Sequence, residues 1–331
     1  MTRRVLIAGL SGPWGAALAR ELEADPRVAS IVGVDERDPP LPFERTEFVR
    51  VGPDPQALRR ILAATEIDTV VDTRGGDADA GVLADVLAAS TVRHVVVAGS
   101  AQVYGCGAGD PAYFSEDMRL RAPRTDLERR LRAVEATYAS LRAQRPGLTI
   151  AVLRIVDTVG GDPGSRGVFA LPGIVPGVAG FDPRLQLVHP EDVVAALEHA
   201  ALERIDGTFN VSGDGVLSLS EIASLLDRRL VPVLPPYGTR FAAMPLRRLG
   251  VSLTPELVEL LRHGRAVDNR ALKATGLRLR YTSREAAVAL RRVERAAPIA
   301  AAAPAYRYDE GLEEFLRRSP SVRPARQDPV G

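Results

Sequence analysis

Short apolar segments alternate with helical segments through the first 160 residues, and this alternation constrains the fold more than any other feature. Apolar segments with the length of buried strands lie at 4–8, 30–34, 47–51, 69–71, 95–98 and 150–153. Helical patterns lie between them at 13–24, 55–64, 77–89 and 126–143. Strands that alternate with helices indicate βαβ units and a parallel sheet buried on both faces. The sequence therefore predicts an α/β fold with a Rossmann-type, doubly wound parallel sheet.

A glycine-rich turn joins the first predicted strand to the first predicted helix. Gly9, Gly12 and Gly15 form a G-x-x-G-x-x-G pattern that also contains Ser11 and Trp14. Glycines permit a tight turn and let a pyrophosphate approach the backbone, while the helix N-terminus offers free N–H groups. Trp14 is unusual here; it packs beside a cofactor, shields its phosphates or partly fills the site.

Asp35 ends the second predicted strand, 20 residues after Gly15. A carboxylate at this place accepts hydrogen bonds from an adenosine ribose and repels a 2′-phosphate. The pattern therefore predicts NAD as the cofactor, bound by Gly9, Ser11, Gly12, Trp14, Gly15 and Asp35. Arg37 nearby leaves NADP open, and a glycine-rich corner without any ligand is the structural alternative.

Beyond residue 160 the alternation weakens. Residues 161–180 are rich in Gly and Pro and are typical of a loop. Further strands are predicted at 185–188 and 208–211, and helices at 220–226, 255–262 and 284–295. We therefore expect an NAD-binding domain over 1–160 to which the chain returns near 185–212. A smaller substrate-type lobe over 161–295 and a flexible Ala/Pro linker and tail over 296–331 complete the prediction.

The composition of the chain limits the classes of partner that it is expected to bind. A net charge of +1 gives no global field that would attract nucleic acid or a membrane. The sequence has no apolar run of the roughly 18 residues that a membrane-spanning helix needs. A single cysteine, Cys106, excludes an intramolecular disulfide and a multi-cysteine metal site, and it suits a reducing cytoplasm. We predict no metal site, no nucleic acid and no membrane.

Several later segments resemble the extended short-chain dehydrogenases/reductases, the NAD-dependent epimerase/dehydratase family. Gly99-Ser100-Ala101-Gln102-Val103-Tyr104-Gly105 is similar to its S-S-x-x-V-Y-G turn. Its other patterns are matched by Val152-Leu153-Arg154 with Gly160, by Leu187–Val193, by Gly207–Val211 and loosely by Asp268–Gly276. The chain is most similar to an atypical actinobacterial, UDP-glucose 4-epimerase-like branch whose members often lack full catalytic motifs.

The resemblance implies a catalytic set. In active members a Ser or Thr, a Tyr and a Lys act together: the Tyr exchanges a proton with the substrate, the Lys lowers the tyrosine pKa, and the nicotinamide takes a hydride. Ser100 matches the family serine and is a candidate catalytic residue. Tyr104 is a second candidate, although the family tyrosine at this place is mostly structural. The resemblance also implies a homodimer through the helices at 77–89 and 126–143.

The Tyr-x-x-x-Lys pair of the family is missing. It lies eight and four residues before a Glu, and counting back from Glu135 places Leu127 and Leu131 at those positions. Two leucines at i and i+4 on a helix indicate packing. Lys273 is the one lysine of the chain and lies far from this helix. Tyr138 and Arg142 repeat the spacing three turns later, where a surface contact is the alternative to catalysis.

Other departures concern the substrate. Asp157 replaces the asparagine of the family pattern, and a carboxylate there would disfavour a nucleotide diphosphate. The segment after the fourth strand contains Asp72 and Arg74 in place of the family's His-x-Ala-Ala; we interpret both as solvated loop charges, and a place on the rim of the cleft is the alternative. Arg184 is a candidate phosphate contact. Cys106 has no neighbouring histidine, which favours an inert thiol over a nucleophile.

Two functions follow. The first is an NAD-binding epimerase/dehydratase-family enzyme that acts on a nucleotide-sugar or similar small molecule by a non-standard catalytic set. The second is a catalytically inactive dinucleotide-binding scaffold or redox-sensing regulator that works through a protein partner. The family resemblance favours the first function, and the missing Tyr-Lys pair favours the second.

Overall fold

A computed structural model describes residues 2–39, 42–75, 80–158, 169, 173–234 and 254–302. The strands are β1 (Arg3–Ala8), β2 (Val28–Asp35), β3 (Thr46–Arg50), β4 (Thr69–Asp72), β5 (His94–Ser100), β6 (Thr149–Ile155), β7 (Ile174–Val178), β8 (Arg184–Leu185), β9 (Gly207–Val211), β10 (Leu217–Ser218) and β11 (Arg229–Leu234). The helices are α1 (Pro13–Ala24), α2 (Pro55–Thr65), α3 (Ala80–Ala88), α4 (Asp126–Gln144), α5 (Pro190–Glu203), α6 (Leu219–Leu225), α7 (Pro255–His263), α8 (Arg270–Ala274) and α9 (Ser283–Ala302). In these ranges no helix is both long and apolar enough to cross a membrane.

Seven strands form one parallel sheet in the order β3-β2-β1-β4-β5-β6-β9. The order runs outward from β1 in one direction to β2 and β3, and in the other to β4 and β5. The carboxyl ends of β1 and β4 therefore flank the point where the strand order reverses, which is where such sheets bind ligands. This arrangement confirms the predicted doubly wound α/β fold.

Both faces of the sheet are covered, as continuous apolar strands require. Along β1 the side chains of Val5 and Ile7 join one apolar cluster, and those of Leu6 and Ala8 join the other. The first cluster includes residues of α1 and α5, and the second includes residues of α2, α3 and α4. Alternate residues of a strand face opposite sides, so β1 contributes to both layers.

The chain divides into a compact unit, Met1–Arg291, and a second unit, Arg292–Gly331. In the first unit a third apolar cluster joins β7, α6 and α7 beside two small sheets, β10-β8 and β11-β7. The expected division of this unit near residue 160 stays a prediction. Residues 77–79 of the predicted third helix and the tail from 303 lie outside the described ranges.

Three predicted segments differ from the structure. The predicted loop over 161–180 contains β7, which pairs with β11 in parallel although each strand includes a proline. The predicted strand at 185–188 is reduced to β8, because Leu187 N–H donates to the Ser283 hydroxyl instead of to a ladder. The helix predicted over 284–295 is longer in the structure, where α9 runs from Ser283 to Ala302; the linker and tail over 296–331 stay a prediction.

His94 ties the sheet to α5. Its Nδ1 lies 2.7 Å from the Thr149 hydroxyl and its Nε2 lies 2.8 Å from the Ala200 carbonyl oxygen. Burial lowers the pKa of His94 to about 4, helped by the nearby charges of Arg204 and Arg3. The imidazole is therefore neutral in the folded protein at neutral pH.

We expect stability to fall between pH 6.5 and pH 4 because of His94. The unfolded chain, with an ordinary histidine pKa near 6.5, binds the proton first as the pH falls. The loss from this group is about 3 kcal/mol at pH 4 and is absent above pH 7. Urea midpoints measured against pH for the wild type and His94→Gln check it, because the variant lacks this part of the slope. Equal slopes would contradict the assignment.

Candidate functional site

The glycine turn lies between β1 and α1 at the carboxyl edge of the sheet. Gly9 has φ +91°, a conformation that suits glycine. A Cβ at Gly15 would lie 2.2 Å from the Gly9 carbonyl oxygen and 2.8 Å from Leu10 Cα. The turn is therefore closed against its own backbone, and only glycine fits at position 15.

The start of α1 suits a diphosphate. Gly12 is the N-cap residue and offers no side-chain cap to the first-turn N–H groups, and Pro13 at the first position has no N–H to leave unpaired. Trp14 follows, half-buried against the first apolar cluster. Uncapped amides at a helix N-terminus form an anion site, so the turn fits the pyrophosphate of a dinucleotide.

Asp35 faces this turn from the end of β2. Its carboxylate accepts hydrogen bonds from Ser11 N–H at 2.9 Å and from Arg37 N–H at 3.2 Å. The Ser11 hydroxyl donates to the Arg37 carbonyl oxygen, which joins the turn to the segment after β2. The carboxylate is thus held beside the glycine turn at the carboxyl edge of the sheet.

Asp72 and Arg74 form a partly buried ion pair at the end of β4, and our interpretation of them as solvated loop charges was wrong. Arg74 Nε and Nη2 donate to the two Asp72 carboxylate oxygens at 2.8 and 2.9 Å. The Tyr138 hydroxyl donates to the same carboxylate at 2.6 Å. Tyr138 is buried, so the expected surface contact with Arg142 was also wrong; Arg142 pairs with Asp206.

Ser100 ends β5, beside β4 and β6 in the sheet. It is half-buried, and its hydroxyl oxygen accepts a hydrogen bond from Gln102 N–H at 3.2 Å. That bond caps the short 3-10 turn Ala101–Tyr104. The strand order brings this residue to the same edge as the glycine turn.

Tyr104 is held on all sides. Its hydroxyl accepts from Arg154 Nη1 at 2.8 Å and donates to Asn210 Oδ1 at 2.9 Å. The ring stacks on Phe114 with centroids 4.7 Å apart. Burial raises the pKa of Tyr104, with opposing effects from Arg154 and Asn210. These contacts favour the structural alternative for this tyrosine.

The two leucines at the expected Tyr and Lys positions both contact the first apolar cluster. Leu131 is buried in the first apolar cluster, and Leu127 packs against that cluster half-buried. One turn further along α4, Glu135 forms two bonds with Arg154, at 2.9 and 2.7 Å. The leucines thus pack apolar surface, as the sequence predicts.

A buried arginine that the sequence did not single out compensates the unexpected carboxylate. Arg265 Nη2 donates to Asp157 Oδ2 at 2.9 Å, and Gln102 Nε2 reaches Asp157 Oδ1 at 3.4 Å. Arg265 Nη1 also lies 3.7 Å from the Cys106 sulfur. Burial raises the pKa of the Cys106 thiol despite the Arg265 charge, so the thiol stays protonated at neutral pH.

A cavity of about 440 Å³ opens beside this pair. Cationic and aromatic side chains share its wall, namely Arg184, Arg262, Arg265, His263, Tyr113 and Phe181. Of its acids, Asp110 is paired with Arg121 and Asp182 accepts from Ser220. The cavity therefore suits an anion that carries an aromatic or apolar group. The described residues contain no group of three or more His, Cys, Asp or Glu that could hold a metal ion.

Comparison with known proteins gives a family. The family model described as "NAD dependent epimerase/dehydratase family" matches residues 5–212, more than half of the chain. The uncharacterized protein Rv0501 of Mycobacterium tuberculosis is 30% identical over 308 residues, which cover 85% of this chain and 81% of the relative.

Solved structures share the fold. MoeE5 in complex with UDP-glucose and NAD has a TM-score of 0.66 at 22% identity, covering 89% of this chain and 99% of its own. The Thermus thermophilus UDP-glucose 4-epimerase in complex with NAD has a TM-score of 0.67 at 18% identity, with the same coverage. At these identities the likeness concerns the architecture.

Proposed function

Because the chain belongs to the NAD-dependent epimerase/dehydratase family, we propose that it binds NAD at the glycine turn and a nucleotide-sugar, or a similarly anionic small molecule, in the arginine-lined cavity. When bound, NAD supplies a hydride acceptor. Gly9, Gly12 and Gly15 provide the close approach for its pyrophosphate. Asp35, fixed by two backbone N–H groups, favours NAD over NADP.

The residues of the cavity wall support a nucleotide-sugar as the substrate. Arg184 brings positive charge to the wall beside Arg262, which is paired with Glu259, and Tyr113 and Phe181 are exposed aromatic rings that a base can contact. MoeE5, which has this fold, is known in complex with UDP-glucose, so the nucleotide-sugar class suits the fold as well as the wall. The pair Arg265–Asp157 links this wall to Gln102 and so to the end of β5.

Catalysis in this proposal uses a non-standard set. Ser100 is the family residue that remains at the sheet edge, and it would orient a substrate hydroxyl. Leu127 and Leu131 supply neither the proton nor the charge of a Tyr-Lys pair. This combination fits an atypical, UDP-glucose 4-epimerase-like branch of the family.

A second function is favoured by one observation. Tyr104, the tyrosine nearest to Ser100 in the chain, is committed to Arg154 and Asn210, while apolar packing occupies the positions of the Tyr-Lys pair. These contacts suit a dinucleotide-binding scaffold or redox-sensing regulator that signals through a protein partner. We further propose that the protein is a cytoplasmic homodimer built on α3 and α4. Analytical sedimentation would test the dimeric state.

Binding and turnover measured separately decide between the two functions. NAD and a panel of nucleotide-sugars are titrated against the purified protein, and cofactor absorbance is then followed with each sugar. Turnover that Ser100→Ala abolishes, and that Ser224→Ala on the exposed face of α6 leaves intact, supports the enzyme. NAD binding without turnover across the panel supports the scaffold, and no dinucleotide binding contradicts both.

The Asp157–Arg265 pair gives a graded prediction. We expect Asp157→Asn to tighten UDP binding about tenfold, because it removes a negative charge and frees the Arg265 guanidinium for the ligand. The same change should cost about 1–3 kcal/mol of stability, since a buried guanidinium loses its partner. Calorimetric titration with UDP and thermal unfolding measure both, with the exposed Asp126→Asn as control. Weaker UDP binding at unchanged stability would contradict this role.

A further inference from the structure

We propose that Arg74 is a side-chain ligand for the pyrophosphate of the bound dinucleotide, acting beside the backbone of the glycine turn. This inference rests on the proposed NAD binding. It adds to that site a guanidinium that the glycine pattern does not contain. Arg74 is absent from the family pattern at this strand end, where small residues stand.

The position of Arg74 comes from the sheet. β4 lies beside β1, and Thr73 after it donates to the carbonyl oxygens of Ala8 and Gly9 at 2.9 and 3.1 Å. The Arg74 side chain then runs along the turn, so that a Cβ at Gly9 would lie 2.8 Å from Arg74 Cγ. The guanidinium therefore stands at the crevice where the strand order reverses.

Asp72 and Tyr138 fix the orientation of the Arg74 guanidinium. Nε and Nη2 engage both oxygens of Asp72, and Tyr138 holds that carboxylate from the other side. Asp72 does not occupy Nη1, although the Tyr138 hydroxyl also lies within hydrogen-bond reach of the guanidinium. Asp72 and Tyr138 are buried, whereas Arg74 keeps a quarter of its side chain exposed, so part of this side chain is accessible to a ligand.

The charge balance suits a phosphate. A buried carboxylate alone at this edge would repel the pyrophosphate, and Arg74 cancels that charge. Burial acts to lower the pKa of Arg74, but the bonds and charge of Asp72 outweigh it and raise the pKa, so the cation persists. An arginine already held in place loses little side-chain freedom when it meets a phosphate.

Binding of NAD and of adenosine tests the proposal. Trp14 is the one tryptophan of the chain and lies in the turn, so its fluorescence reports binding, with calorimetry as a second readout. We expect Arg74→Ala to raise the Kd for NAD about 10- to 100-fold. Adenosine, which has no phosphate, should bind as before. The exposed Arg60→Ala on α2 should leave both affinities unchanged.

Arg74→Ala leaves the buried Asp72 carboxylate without its ion-pair partner, which by itself destabilises the fold. A second variant therefore removes the guanidinium without leaving an unpaired charge. Asp72→Asn/Arg74→Gln removes the guanidinium and leaves a neutral pair, and it should weaken NAD to the same degree at a near-normal melting temperature. If either folded variant binds NAD as the wild type does, the pair is only structural and the inference is overturned. If the wild type binds no NAD, the proposed function fails instead.

Discussion

Gly15→Ala should weaken NAD binding by about 100-fold or more. The new methyl group would lie 2.2 Å from the Gly9 carbonyl oxygen and 2.8 Å from Leu10 Cα, and both are backbone atoms that no rotamer change can move. The turn must therefore open, which displaces the N–H groups of the helix start from the phosphate. Overpacking at such a site also costs about 1–3 kcal/mol of stability. Calorimetry and Trp14 fluorescence measure the Kd.

Gly147→Ala is the matched control for this change. Gly147 lies exposed in the turn after α4, and a Cβ there meets nothing within 4 Å. We expect its NAD affinity and its melting temperature to match those of the wild type. Full NAD affinity in a folded Gly15→Ala protein would show that the dinucleotide lies elsewhere.

Arg154→Leu should give the largest loss of stability, about 3–5 kcal/mol. Arg154 is buried and bonds Glu135 twice, and it also donates to the Tyr104 hydroxyl and covers its ring at 4.8 Å. Its removal leaves the Glu135 carboxylate half-buried without its partner and takes one bond from Tyr104. Urea unfolding monitored by circular dichroism measures the loss.

Two further variants separate the ion pair from packing. Glu135→Leu/Arg154→Leu removes both charges and should recover part of the stability, because no unpaired charge remains. Arg129→Leu breaks the pair with Asp126 on the exposed face of the same helix and should cost less than about 1 kcal/mol. A similar loss in Arg129→Leu and Arg154→Leu would contradict the distinction between buried and exposed pairs.

Local signals were sufficient for the main sheet. Runs such as Val5 to Ala8 are too short and too apolar for a surface helix, and the glycines at 9 and 12 end the first run sharply. By contrast, β7 and β11 contain Pro176 and Pro232, which indicate turns when read alone. Each tolerates proline because the two strands form a separate two-stranded sheet. Both are edge strands, so the missing N–H of a proline can lie on the side that pairs with no other strand.

The proposed cofactor residues follow from order along the chain, whereas the long-range polar contacts of the site do not. Gly9 to Gly15 and Asp35 obey a spacing rule that geometry imposes on any such turn. Asp72 meets Tyr138 over a separation of 66 residues, and Asp157 meets Arg265 over 108. No periodicity encodes these distances, so a carboxylate that seemed unfavourable for an anion could not be matched with its arginine in advance.

The edge position of β9 has a consequence for synthesis of the chain. While residues 207–211 are still inside the ribosome, β6 has an open, apolar edge, the kind of surface that pairs with other chains. His94 and Arg3 also lack these hydrogen-bond partners until α5 has been synthesised, because they bond its Ala200 and Leu202 carbonyl oxygens. The seven-stranded sheet therefore cannot be completed during translation until residues 207–211 have left the ribosome. We expect a fragment that ends near residue 160 to aggregate.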